Sequence, residues 1–153
     1  MKFTSRIEIA AAPAQVFAQM SDLSVFAPEL RRHGVRLRRT DTLAEPAAGM
    51  SWQADFRFRD RARVVHLMAC RVAPQERIDY EGQSNSFLLS GAVALTPLPR
   101  ERTRLHLTLE FRPRNLGARL LLQSARLGRA RLESRLGDRL AELAALLEAG
   151  ARA

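Results

Sequence analysis

From Lys2 to Ala10 the apolar residues Phe3, Ile7 and Ile9 alternate with Lys2, Thr4, Arg6 and Glu8, the period of two that gives a strand one wet and one dry face. Pro13 suits the first position of a helix, and Val16, Phe17 and Met20 fall on one side of it before Ser21-Asp22 offers a second cap. A second short helix is expected through Leu23, Phe26 and Leu30, kept brief by Pro28 and closed by Gly34. Val35 to Thr42 reads as a strand, and Leu43 to Gly49 as a loop. The clearest strand follows, because Met50, Trp52, Ala54, Phe56 and Phe58 alternate without exception with Ser51, Gln53, Asp55, Arg57 and Arg59. Hairpin-length connections lead into strands over Ala62 to Val72, Ile78 to Gly82, Phe87 to Thr96 and Thr103 to Phe111, giving seven in all. Pro113 stops the sheet, and Asn115 can cap one long helix running to about Glu148. At about 100° per residue, Leu132, Leu136, Leu140, Leu143 and Leu147 form one stripe, while Leu116, Leu120 and Leu127 lie on another side. The face changes near Gly128, which predicts a bend or a new packing partner there, the first part closing one end of the sheet and the second filling its concavity.

Composition bounds this picture. A chain of 153 residues that is 46% hydrophobic and 27% charged has material for a core and is expected to form one domain over 1–153, not a disordered chain. No apolar run reaches the roughly 18 residues of a membrane-spanning helix, and Lys2, Arg6 and Glu8 interrupt the N-terminus where a signal peptide is continuously apolar, so the cytoplasm is the expected compartment. Cys70 is the sole cysteine; it excludes an internal disulfide and, beside Met68, Ala69 and Val72, is expected to be a buried, inert thiol. The formal charge is +9, and because Lys2 is the only lysine among the 25 basic residues, 24 are arginine. They gather at Arg31, Arg32, Arg36, Arg38 and Arg39, and again at Arg119, Arg126, Arg129, Arg131, Arg135 and Arg139. Guanidinium forks suit phosphate and anionic lipid headgroups, although a solvated helix face in an arginine-biased composition reads the same way.

Several short pieces in order carry a resemblance: Ile7-Glu8-Ile9-Ala10-Ala11-Ala12-Pro13-Ala14-Gln15-Val16-Phe17, Asp22-Leu23 through Phe26, Gly49-Met50-Ser51-Trp52, Pro74-Gln75-Glu76-Arg77-Ile78, and Arg102-Thr103-Arg104-Leu105 before the long helix. Over nearly its whole length the chain resembles the SRPBCC superfamily, with its START, Bet v 1 and polyketide cyclase/dehydrase branches. The resemblance implies an α+β helix-grip fold: a curved seven-stranded antiparallel sheet over a long C-terminal helix, two short helices after the first strand, and a hydrophobic cavity between sheet and helix. It implies no catalytic residue, because members share a cavity rather than a chemistry.

The candidate ligand-binding residues are Trp52, Phe56, Phe58, His66, Met68, Tyr80, Phe87, Leu89 and Leu107 from the strands, with Leu121 and Ala125 from the helix. The same alternation also describes a solid core. His66 is in phase with Val64, Met68 and Cys70, whereas Val65, Leu67 and Ala69 share the other face, so the pattern leaves its direction open. Pointing inward, it is the best polar anchor or general base; pointing outward, it is an ordinary strand histidine. Tyr80 alternates with Ile78 and Gly82, which aims its hydroxyl at the interior. No HExxH, CxxC, Walker A or GxGxxG pattern occurs, so no metal or nucleotide cofactor is expected. The leading expectation is binding or transfer of a hydrophobic small molecule such as a lipid, quinone or polyketide-like compound. The first alternative is a cyclase, aromatase or dehydratase using His66 and Tyr80. The second is an interaction module whose arginines contact an anionic membrane transiently, or an RNA or protein. Nucleic acid is the less expected partner because no aromatic residues interleave the basic stripes, and the oligomeric state is left open.

Overall fold

A computed structural model describes residues 1–152. Its order is β1 (Lys2–Ile9), α1 (Pro13–Met20), a 3₁₀ turn (Leu23–Phe26), α2 (Ala27–Arg32), β2 (Arg36–Arg39), β3 (Ser51–Phe58), β4 (Arg61–Ala73), β5 (Arg77–Gln83), β6 (Phe87–Leu98), β7 (Arg102–Pro113), α3 (Leu116–Leu127) and α4 (Arg129–Arg152). The seven strands form one antiparallel sheet in the order β1-β7-β6-β5-β4-β3-β2, so the first strand joins the last and β2 is the other edge. This is the helix-grip arrangement.

Two elements differ from the sequence pattern. The strand expected over Val35 to Thr42 is hydrogen-bonded only as Arg36–Arg39. Asp41 cuts it short, because its carboxylate accepts from the Ser51 and Leu43 amides at 2.7 and 2.9 Å and replaces the ladder with a side-chain turn. The single terminal helix is two helices: Gly128 donates back to Ala125 and Arg126, and the chain restarts at Arg129. The predicted change of partner at Gly128 is therefore a full break, with α3 packed on β7 and α4 on β1 and α1. No helix among the described residues is long and apolar enough to cross a membrane.

The core sits at one end of the sheet. Ile9, Val16, Met50, Trp52, Ala69, Ile78, Leu105 and Leu147 are buried together there, roofed by α1 and the second half of α4. Thr103 is polar and fully buried, but its hydroxyl donates to the Ala11 carbonyl at 2.7 Å, so the chain leaving β1 is fastened to β7. Gln19 likewise donates to the Leu147 carbonyl at 2.8 Å and joins α1 to α4.

Candidate functional site

Residues directly opposite in a sheet share a face, so register decides which side chains meet the helices. Trp52 pairs with Leu67, Leu67 with Gly82, Gly82 with Leu89, and Leu89 with Phe111, a continuous inner row. Next to it run Ala69, Tyr80, Gly91, Leu109 and Phe3. Leu67 and Leu89 close over Gly82, where an added methyl would meet both at 3.0 Å and push them back by a few tenths of an ångström. Beyond the sealed core the inner face continues as a strip, or shallow trough, of half-buried apolar residues, Phe56, Val65, Phe87, Leu89 and Phe111; Leu121 and Ala125 of α3, which packs on β7, are half-buried as well. Phe111 packs edge-on against Phe3 and Phe87, at 6.3 and 6.5 Å between ring centres.

Of the residues expected to bind a ligand, Phe56, Tyr80, Phe87, Leu89, Leu107, Leu121 and Ala125 are half-buried on this inner side. Four positions need correction. His66 pairs with Gln53 and Gln83, and Met68 with Ser51 and Glu81; both project from the outer face, where Met68 is 41% exposed. Trp52 has the right parity but no accessible surface; it is core, its ring tilted against that of Tyr80 at 6.2 Å and donating from Nε1 to Asp22 at 3.2 Å. Phe58 has inner parity too, yet it lies beyond the helices at the strand tip and is 45% exposed. The expected pair of His66 and Tyr80 is thus split across the sheet. Tyr80 instead donates weakly to the Met20 carbonyl at 3.4 Å, and burial pushes its ionisation well above the ordinary phenol range. Cys70 is exposed, because it is in phase with His66 and Met68 on the outer face; desolvation, helped by Glu81 and Asp79, nonetheless raises its pKa and keeps it a thiol.

Arg63 is the residue that sequence reasoning missed. It pairs with Phe56, which puts it on the inner face in phase with Val65 and Leu67. Its Nε is buried with no hydrogen-bond partner. By register the inner positions of β3 and β4 are Trp52, Ala54, Phe56, Phe58, Arg61, Arg63, Val65, Leu67 and Ala69, with no carboxylate among them. The sequence alone could not single Arg63 out: β4 is apolar in both phases, and only pairing with Trp52 and Phe56 of β3 puts it, together with Arg61, on the inward one.

A second polar cluster is structural. Arg39 grips Asp41 through two hydrogen bonds at 2.5 and 2.9 Å and Asp22 at 3.0 Å, with its guanidinium 5.5 Å from the Trp52 ring centre. The Arg39 hydrogen bond holds the Asp41 carboxyl well below the usual carboxylate range. Glu29, His33 and Glu142 bring ligand-type atoms within 4.8 Å of one another. Arg139 lies 3.2 Å from His33 Nε2 and 3.1 Å from Glu142, so a guanidinium already supplies the positive charge there, and the exposed group reads as a polar bridge between α2 and α4. A cleft of about 370 Å³ opens at the β2 edge between Ala27, Arg31, Leu37 and Asp55.

The model for the polyketide cyclase / dehydrase and lipid transport family matches residues 1–148. The chain belongs to that family. Solved structures agree in fold at low identity. A Thermus thermophilus protein has a TM-score of 0.68 at 18% identity, covering 99% of this chain and 97% of its own. The Zhui aromatase/cyclase from Streptomyces sp. R1128 has 0.65 at 17%, covering 90% and 92%. A START superfamily protein from Mycobacterium smegmatis has 0.57 at 15%, covering 90% and 97%. Among curated proteins none matches. In this member of the polyketide cyclase / dehydrase and lipid transport family, the inner face of the sheet is sealed at one end and half-buried at the other.

Proposed function

We propose that residues 1–153 act as one ligand-binding domain that holds or transfers a hydrophobic small molecule carrying an anionic group, its apolar part along Phe56, Phe87, Leu89 and Leu121. The observation that carries this reading is Arg63, a cation on an apolar wall with a buried nitrogen that nothing in the protein satisfies. An orphaned buried donor costs about 1–3 kcal/mol, and a carboxylate or phosphate on a ligand recovers that cost through a charge-assisted bond. The family description and the half-buried trough support the apolar part of the reading. A cyclase built on His66 loses its base, because that ring is on the outer face.

Native mass spectrometry of protein purified from its host, followed by titration with oleate and with oleyl alcohol, tests the reading. The expected result is a bound apolar species, and binding of oleate that weakens by about tenfold to a hundredfold in Arg63→Leu while oleyl alcohol is unaffected. No bound species and no uptake of either compound would overturn it; equal loss of both in Arg63→Leu would remove Arg63 from the site.

A further inference from the structure

Helix α3 is apolar on two opposite sides. Ala118 is buried and Leu121, Leu122 and Ala125 are half-buried on the side that packs against β7. At about 100° per residue, the opposite side of the cylinder carries Leu116, Leu120 and Leu127. These three are 69%, 56% and 92% exposed, so the stripe covers nothing in the protein. The inward residues already anchor the helix, which leaves the outer leucines without a folding role.

The charge around the stripe is one-sided. Arg119 and Arg126 lie together along one flank, and Arg131 follows just past Gly128. From Phe111 to Leu132 there are six arginines and no Asp or Glu. Arg112 is occupied by Glu110, Arg114 by the Ser84 carbonyl, and Arg129 by Glu133 and the Lys2 carbonyl. Arg119, Arg126 and Arg131 are in none of the ion pairs formed among the described residues.

We infer that α3 is a membrane-docking element: Leu116, Leu120 and Leu127 enter the acyl boundary of an anionic phospholipid bilayer while Arg119, Arg126 and Arg131 contact its phosphates. A helix that lies in the interface needs an apolar stripe bordered by cations, and this one, about 18 Å long, lies flat rather than spanning. A second copy of the chain is disfavoured as the occupant, because pairing the stripes would bring the arginine flanks together on molecules of charge +9. RNA is disfavoured because the exposed stripe is leucine and offers no ring on which a base can stack. The inference stands on α3 alone and holds whether or not the trough takes a ligand.

Flotation with vesicles of phosphatidylcholine alone, and of two parts phosphatidylcholine to one part phosphatidylserine, tests it on the full chain. Binding is expected only to the mixed vesicles, falling by about tenfold or more as salt rises from low to physiological strength. Leu120→Ser with Leu127→Ser should lower binding by about tenfold or more, since both residues are exposed and folding does not depend on them. Arg119→Gln with Arg126→Gln should weaken binding and flatten its salt dependence. Arg31→Gln with Arg36→Gln, at the other arginine group, should leave it unchanged. No binding to the mixed vesicles overturns the inference, as does binding that ignores the leucine pair or falls equally with the Arg31 and Arg36 pair. A concentration-dependent dimer abolished by Leu120→Ser and Leu127→Ser also overturns it, by showing that a second copy covers the stripe.

Discussion

The two ends of the inner face are made from the same alternation of apolar and polar residues, yet they are packed differently. At the α1 end Ile9, Trp52, Ile78, Leu105 and Leu147 are essentially inaccessible, whereas at the α3 end Phe56, Leu89, Phe111 and Leu121 remain half-buried and Arg63 hangs unpartnered among them. What differs is the cover. Helix α1, the 3₁₀ turn and the second half of α4 roof the first end, whereas α3 packs on β7 and turns its other leucines outward. Alternation along a strand determines that a face is dry; the elements laid across it determine whether that face becomes a core or a place for something else. The first end carries stability, and the second is where the proposed ligand would lie.

Leucine truncations separate the two most strongly. Leu147→Ala removes a fully buried side chain from the roof and should cost about 3–4 kcal/mol, while Leu89→Ala, in the trough, should cost about 1 kcal/mol. Urea unfolding of the two variants measures this directly. Similar losses would mean that the trough is part of one sealed core.

A smaller effect is expected at Asp41, which fastens the β2 edge to β3 beside Trp52. Asp41→Ala strands Arg39 and two backbone amides and should cost about 2 kcal/mol. Because the folded pKa of Asp41 lies below its unfolded value, its contribution is complete above the unfolded carboxylate value of about 4 and is lost as pH falls through that value toward the folded one. The wild-type protein should therefore lose stability more steeply than Asp41→Ala as pH is lowered from about 5 toward 2. Parallel stability curves over that range would show that ionisation of Asp41 does not stabilise the β2 edge.

This division was only partly legible in the sequence. The fold was, because the period of two in β3 and β7, the proline at the start of α1 and the change of leucine stripe at Gly128 are local signals that tertiary packing reinforced. The site was legible where parity along one strand suffices, as for Phe56 and Leu89. It failed at His66 and Met68, since β4 is apolar in both phases, with Val64 and Met68 on one side and Val65, Leu67 and Ala69 on the other. Only pairing with Trp52 of β3 settles which phase faces inward, and pairing is a long-range property. Arg63 was hidden by the same ambiguity. Trp52 was read as lining for a different reason: parity reports direction, and nothing in the strand reports that α1 and α4 come to rest above it.

The mildest test compares the hairpin turns that cap the two ends. Arg59 and Asp60 turn β3 into β4 beside the trough, with φ of 53° and 61°, and Arg100 and Glu101 turn β6 into β7 beside the sealed core, with φ of 64° and 55°. Left-handed backbone at side-chain-bearing residues is strained, so Asp60→Gly and Glu101→Gly should each relieve about 0.5–1 kcal/mol at their own turn. If both ends unfold as one cooperative unit, the two substitutions raise the urea midpoint equally. If the trough opens on its own, as its half-exposed contacts lead us to expect, Glu101→Gly raises the global midpoint, whereas Asp60→Gly mainly slows amide exchange in β3 and β4 near Phe58 and Arg61. Equal shifts in the global midpoint, with no local change in exchange, would show that the difference in packing between the ends is not a difference in local stability.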